Sequence, residues 1–276
     1  MITLVNFADK NFRRKQKWNT LSGKLLGGFN QVLEFKPEDL DNDFLQKNKK
    51  SLKYKDKGFG NYFWKPYIIN KALKKVKEGD YLMYADSGSV FLKSITPLIK
   101  HMNNEGKKIM CFQLPLIEKQ WTKRDAFLLM NSDSQYFTNS CQIMGGFILI
   151  KKCKKSIEFL NNFQKLSLDS RILSDDSNIL GEENYPEFIE HRHDQSILSL
   201  LSKNNKNVLI TGDLSDYGYF PYKYIENTKR LYDSDCLNIN NNIFKGTLIC
   251  NRSIHPFIYL IKYYIRRLFL FFEKKI

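Results

Sequence analysis

Asp86 follows the apolar run Tyr81-Leu82-Met83-Tyr84-Ala85 and opens the small-residue turn Ser87-Gly88-Ser89. A run of this kind is a short buried strand. A carboxylate at its carboxyl end sits where open α/β sheets bind ligands. The small side chains after it let a substrate approach the backbone. The chemistry that suits the position is the holding of a metal–phosphate ligand; the alternative is an aspartate that only caps a turn. Asp194 is the second acidic candidate, followed by Gln195 at the entry to an apolar helix at 197–201. A carboxylate within hydrogen-bond reach of a hydroxyl serves as a general base. N-capping of the helix is compatible with that role. His191 and His193 lie just before it, as catalytic or as supporting histidines. Lys65 begins a predicted helix, where free N–H groups and the dipole attract an anion, and a full charge there suits a phosphate. Gly145-Gly146 precedes the apolar run 147–150, and glycines at that point let a ligand touch the backbone or simply make a turn.

The elements around these residues alternate between strand and helix. Ile68, Ile69, Ala72, Leu73 and Val76 recur at helical spacing between lysines, with Pro66 in the first turn and Glu78-Gly79-Asp80 at the end. Strands are predicted at 2–8, 31–35, 108–113, 142–150, 208–211 and 248–252. Helices are predicted from about 11, from 36, over 91–105 and over 154–166. The segment 116–130 gives an exposed amphipathic helix, and 58–60 a flexible hinge. The polar, acidic stretch 168–186 is long enough to be a flap beside a site. The expected class is α/β.

The stretch Phe63-Trp64-Lys65-Pro66, a helix, Glu78-Gly79-Asp80 and a strand ending Asp86-Ser87-Gly88 resembles bacterial glycosyltransferases of surface-polysaccharide (capsule or O-antigen type) clusters. It is similar, more distantly, to GT-A nucleotide-sugar enzymes, in which a strand ends Asp-any-Asp. The resemblance covers about residues 1–255. It implies a GT-A-like, Rossmann-type mixed sheet flanked by helices. It implies a hexosyltransferase-type enzyme that moves a sugar from a nucleotide-diphosphate donor, a UDP-sugar favoured, to a glycan or lipid-linked glycan acceptor. In that family the acidic motif holds a divalent cation, Mn²⁺ or Mg²⁺. Here Gly88 stands in the second acidic position, so one acid of the usual pair is present. The resemblance places Asn6 and Phe7 near the base. Lys65, Asp86, Ser87, Gly88, Gly145, Gly146, Gln195 and Arg252 fall near the donor. Glu118, Trp121, Arg124, His191 and His193 fall toward the acceptor, with Asp194 catalytic. Asp86 and His255 are the metal candidates.

Composition sets the surroundings. The 276 residues suffice for one large domain with a real core. Lys and Arg total 44 against 29 Asp and Glu, a net charge of +15 that favours phosphorylated ligands, anionic lipid or nucleic acid. The basic run 47–57 fits a solvated face or a rim for anions. The five cysteines show no Cys-x-x-Cys pair and are expected to be reduced thiols. The N-terminus has no signal-peptide pattern, so the expected location is the cytoplasm, peripheral on the inner face of the membrane. The tail 254–276 is expected to be a basic, aromatic helix lying on an anionic membrane surface, outside a catalytic domain at 1–253. No nucleic-acid partner is expected. The rival reading is a basic nucleic-acid- or membrane-binding protein that keeps the fold without turnover.

Overall fold

The computed structural model describes residues 1–48, 58–220, 243–251 and 254–273. The described strands are β1 (Ile2–Phe7), β2 (Gln31–Phe35), β3 (Tyr81–Ala85), β4 (Ser89–Phe91), β5 (Ile109–Ile117), β6 (Cys141–Ile143), β7 (Phe147–Lys151), β8 (Val208–Gly212) and β9 (Leu248–Cys250). The helices that matter below are α1 (Arg13–Ser22), α2 (Trp64–Lys74), α3 (Thr96–Asn104), α4 (Glu118–Trp121), α5 (Arg124–Leu129), α6 (Lys154–Leu166), α7 (Ser170–Leu173), α8 (Asp194–Lys203) and α9 (Pro256–Glu273).

Seven strands make one mixed sheet. β1 lies parallel between β2 and β3, and β3 runs antiparallel to β7. Ile109 of β5 faces Ile150 and Val208 at once, while Gln113 faces Ile143 and Gly212. β6 and β7 therefore share one edge of β5, and β8 takes the other. The strand expected at 142–150 is split at residues 144–146, where its register against β5 shifts. β4 and β9 pair separately, antiparallel.

Two-residue periodicity divides the core into the two faces of the sheet. Val5, Leu82, Tyr84, Cys111, Ile148 and Ile150 pack on one side with Ile68 and Ala72 of α2, Phe159 and Phe163 of α6, and Ile197 of α8. Leu4, Met83, Met110, Phe112, Phe147 and Leu149 pack on the other with Leu98 and Met102 of α3. Both faces are covered, which is why the strands read as near-continuous apolar runs.

Several boundaries differ from the sequence expectation. Residues 89–91 extend into β4, and α3 starts only at Thr96, with Pro97 in its first turn. The helix expected from 36 divides into a 3₁₀ turn at Pro37–Asp39, held by the backbone N–H of Lys36 on the Asp39 carboxylate at 2.9 Å, and a separate short helix at Asn42–Lys47. The segment 116–130 is no exposed helix. It carries the end of β5 and two short helices whose Glu118, Trp121, Ala126 and Phe127 are almost fully buried. Residues 58–62 form a left-handed turn with φ of 55°, 53°, 82°, 56° and 63°, and so are no free hinge. The acidic stretch is also tied down: the Asp125 carboxylate accepts the N–H groups of Ile179 (2.8 Å) and Leu180 (3.3 Å). Cys111, Cys153 and Cys250 are free thiols, but Cys141 is disulfide-bonded, against the expectation of five reduced cysteines. Most of the basic run 47–57 lies outside the described residues.

A buried amide cluster ties α1 to the turn after β3. Gln16 donates to Asn6 Oδ1 (2.9 Å), and Asn6 donates to Asn19 Oδ1 (2.7 Å). Asn19 in turn donates to the carbonyl and hydroxyl oxygens of Ser89 at 3.0 and 2.9 Å. Removing a buried partner leaves the others desolvated and unpaired. We expect Asn19→Ala to lower unfolding stability by about 1–3 kcal/mol in urea titration. An effect within error would show that water replaces the amide.

Candidate active site

Four chain segments meet at the carboxyl end of β3. Its side-chain alternation puts Tyr84 and Asp86 on the face covered by α2. α2 carries Lys65, Ile68, Ile69 and Ala72 at helical spacing, all buried. Lys65 is therefore on the core-facing stripe and only 4% exposed. Its Nζ donates to the Gly145 carbonyl at 3.0 Å, lies 2.6 Å from Asp194 Oδ2 and 3.8 Å from Asp86 Oδ1. The Asp194 contact is a buried ion pair. The rings of Tyr62 and Tyr84 lie 5.1 and 5.5 Å from the ammonium. The Tyr84 hydroxyl donates to Asp86 Oδ1 at 2.9 Å. Asp86 is the open member of the group, with 38% of its side chain exposed.

The glycines explain how the segments come so close. A Cβ on Gly145 would lie 2.9 Å from Gln195 Cβ, 3.1 Å from Gln195 Cα and 3.4 Å from Asp194 Oδ2. A Cβ on Gly146 would lie 3.1 Å from Asp86 Oδ2. The two glycines make room for the protein's own carboxylates and for the first turn of α8. The Asp86 N–H donates to the Gly146 carbonyl (2.9 Å), and the Gly145 N–H donates to Gln195 Oε1 (3.0 Å). Asp194 is the first residue of α8 and does not cap it; the preceding His193 holds φ 53° and ψ −123°, an unusual conformation for a side-chain-bearing residue.

Electrostatics follow from burial. Desolvation is the largest influence on Asp194 and raises its carboxyl from 3.8 to about 6, although Lys65 pulls the other way. For Lys65, burial alone would lower the pKa, but the Asp194 and Asp86 carboxylates outweigh it and the ammonium is held above its ordinary value. The Tyr84 phenol is pushed well up, by burial first and then by Asp86.

The other sequence candidates fall in different places. Asn6 is fully buried in the amide cluster, and Phe7 is a core residue stacked on Trp64 at 3.8 Å between ring centroids. Neither presents its side chain to a base. Ser87 donates from its hydroxyl to the Phe7 carbonyl at 2.6 Å, and the Gly88 carbonyl accepts the Asn251 N–H at 2.8 Å. Glu118 is fully buried against Lys203 and faces no open groove. Trp121 is covered by the Arg192 guanidinium at 4.4 Å, and Arg124 pairs with Asp133 at 2.8 Å. His191 and His193 are buried with ring nitrogens on the carbonyl oxygens of Ile172 (2.8 Å) and Leu173 (3.0 Å) of α7. The Lys123 N–H donates to His191 Nδ1 at 3.2 Å, which makes Nε2 the protonated nitrogen. His255 packs edge-on to Trp18 at 5.8 Å. Arg252 lies outside the described residues.

The residues present do not build a cation cage. Among the described residues no three His, Cys, Asp or Glu side chains converge as metal ligands. Gly88 supplies no second carboxylate, and the Lys65 ammonium already stands 3.8 Å from Asp86 Oδ1. A divalent ion at Asp86 would meet a like charge.

The fold and site define a mixed α/β protein with two carboxylates and a buried lysine at the carboxyl end of β3. No protein-family model matches the sequence, and no curated protein sequence matches it. Among solved structures, the chain is similar to the galactosyltransferase LgtC in complex with donor and acceptor sugar analogs, at 13% identity and a TM-score of 0.48 over 91% of this chain and 87% of that one. It is similar to a glycosyltransferase involved in glycosylation of the major capsid of PBCV-1, at 11% identity and 0.46 over 92% and 94%. It is also similar to mouse xyloside xylosyltransferase 1, at 13% identity and 0.46 over 92% and 98%.

Tyr62, Tyr84, Gln142, Gln16 and Asn19 are absent from the sequence candidates. Tyr84 was within reach, because it sits two residues before Asp86 on the same face of β3. Gln142 and Asn19 are brought in by tertiary packing alone.

Without Lys65, Asp194 would be a buried carboxylate with its main attraction removed. Its pKa would rise further above 3.8, so the strain exists above that folded pKa and is relieved as pH falls through it. We expect Lys65→Met to cost about 3–5 kcal/mol at pH 8. The deficit should shrink at pH 5, and in the double variant Lys65→Met with Asp194→Asn. Chemical denaturation at both pH values checks this; a pH-independent loss would show that packing, not charge, is what Lys65 contributes.

Proposed function

We propose that this protein is a glycosyltransferase that takes a sugar from a nucleotide-diphosphate donor, a UDP-sugar favoured, and passes it to a glycan or lipid-linked glycan. The observation that carries the reading is the half-exposed Asp86 at the end of β3, set over the buried Lys65–Asp194 pair and against Gly145–Gly146. Sequence resemblance at 64–88, 145–150 and 190–196 supports the same assignment. Asp86 is the carboxylate that touches the donor, accepting hydrogen bonds from its hydroxyls. Asp194 is only 3% exposed. It is the second carboxylate, and its pKa near 6 leaves it largely ionised at neutral pH, ready to hold Lys65 or to take a proton from an acceptor that reaches it.

The acceptor side of the proposal rests on α9. One face packs on the domain through Tyr263, 3% exposed, and through Tyr259, whose hydroxyl donates to Asp216 at 2.5 Å. The opposite side leaves Phe257, Ile261, Tyr264, Leu268 and Phe269 between 46% and 65% exposed, while Lys262 and Arg266 lie toward the domain, in a pocket with Phe220 and Tyr263. No described helix is long and apolar enough to cross a membrane. A broad exposed apolar face on a helix that also carries Lys262, Arg266 and Arg267 suits the surface of an anionic bilayer, where a lipid-linked acceptor would lie.

Two measurements test this. A ligand that binds only the folded state raises the melting temperature, by about 2.7 kcal/mol of stability at one hundred times Kd. In a thermal-shift series with UDP, GDP, CMP and their sugars, we expect one nucleotide to stabilise the protein and Asp86→Ala to abolish the shift. No shift with any of them would sink the donor assignment. In co-sedimentation with vesicles, we expect binding to rise with anionic lipid and to fall when Phe257, Ile261 and Leu268 are changed to Ser. Equal binding to neutral vesicles would argue against a charged leaflet as the partner.

A further inference from the structure

Behind the site lies a second buried ion pair, Glu118–Lys203, whose side chains are 0% and 6% exposed. Glu118 Oε2 takes Lys203 Nζ and the Ser199 hydroxyl in short contacts. Oε1 takes the Thr122 hydroxyl at 2.6 Å and Gln142 Nε2 at 3.2 Å. Gln142 is fully buried, and its Oε1 accepts from Gln195 Nε2 at 2.7 Å. Gln195 Oε1 in turn accepts the Gly145 N–H at 3.0 Å, and the Gly145 carbonyl receives Lys65 at 3.0 Å.

The order of donors and acceptors along this line is not free. An amide can turn over and exchange its oxygen for its NH₂, but an ionised carboxylate can only accept. Glu118 therefore obliges Gln142 to present its NH₂ inward and its oxygen to Gln195. That obliges Gln195 to present its NH₂ to Gln142 and its oxygen to Gly145. The backbone N–H at the far end agrees with the carboxylate at the near end. Glu118, which accepts from Lys203, Ser199 and Thr122 besides Gln142, sets the direction of the whole line.

We propose that Glu118 and Lys203 are a positioning pair: through Gln142 they fix the orientation of Gln195 and so anchor the Gly145–Gly146 turn against Asp194 and Lys65. Its effect on turnover rests on the glycosyltransferase reading; its effect on the turn does not. Neither residue touches a substrate. The pair acts from the far side of β6, where Ser199 also accepts the Ile143 N–H at 2.9 Å.

Glu118→Gln alone would strand the Lys203 charge and could unfold the protein. The test therefore uses Gln142→Met, which keeps bulk and removes both amide links, and the exchange variant Glu118→Gln with Gln142→Glu. The exchange keeps one negative charge within the cluster and still offers Gln195 Nε2 an acceptor. The first readout is hydrogen exchange at the Gly145 amide, followed by NMR in the full chain. We expect Gln142→Met to speed it by about tenfold while amides of β5 and β3 keep their protection. The exchange variant should restore it. The second readout is donor turnover: kcat should fall about tenfold in Gln142→Met with KM for the donor unchanged, and recover in the exchange variant. Unchanged exchange at Gly145, exchange that accelerates across the whole sheet, or no recovery in the exchange variant overturns the proposal. If the wild-type protein turns over no nucleotide sugar, the glycosyltransferase reading fails, and hydrogen exchange at Gly145 still decides the positioning role.

Discussion

A lysine ammonium inside the protein is the constraint on which this site depends. Burial disfavours its charge, so Lys65 persists as a cation only because Asp194, Asp86 and the Gly145 carbonyl surround it. Each of those groups comes from a different element. α8 must deliver Asp194 at its first residue, β3 must end on Asp86, and the sheet must break between β6 and β7 to expose a carbonyl. Gly145 and Gly146 follow from this demand, since any Cβ there would press on Gln195 or Asp86. The unusual backbone of His193, just before Asp194, belongs to the same set. Strain at the entry to α8 is tolerable because His193 is itself anchored on the Leu173 carbonyl.

The sequence made the frame legible and the interior of the site only in part. β1, β2, β3, α2, α6 and β8 stand near where periodicity and turn residues place them, because each buries an apolar stripe of clear period. Asp86, Lys65, Asp194 and the two glycines were singled out as candidates, and the structure brings them together. What they do to each other was not legible. Lys65 looked like a phosphate contact at a helix start, but its place on the stripe with Ile68, Ile69 and Ala72 turns it inward. The glycines looked like an opening for a ligand, but they accommodate carboxylates of the protein itself.

The segment around Glu118 shows why charge misleads. Glu-Lys-Gln-Trp-Thr-Lys-Arg-Asp has the composition of a wet surface. Yet Glu118, Gln120, Trp121, Thr122, Lys123 and Asp125 are all at most 2% exposed. Their partners lie far away in sequence, such as Lys203, the Asp176 carbonyl and the Ile179 N–H. Local pattern carries no information about such partners. A buried polar segment is recognisable only when its hydrogen bonds can be counted.

The same polar interior divides the two sides of the protein. Asp86 is open enough to meet a ligand, while the layers behind it, Lys65–Asp194 and then Glu118–Lys203, are closed to water. Two ion pairs in succession are a poor way to gain stability, because each charge must be desolvated. They are a good way to fix geometry, because a charge in a low-dielectric interior punishes any arrangement that leaves it unpaired. α9 is built on the opposite principle. It is held by Tyr259, Leu260, Tyr263 and Leu270 along one side, while Phe257, Ile261, Tyr264, Leu268 and Phe269 find no cover among the described residues. Rigid polar packing thus holds the carboxylates in place. The exposed apolar face leaves α9 available for an external surface that can adapt to it.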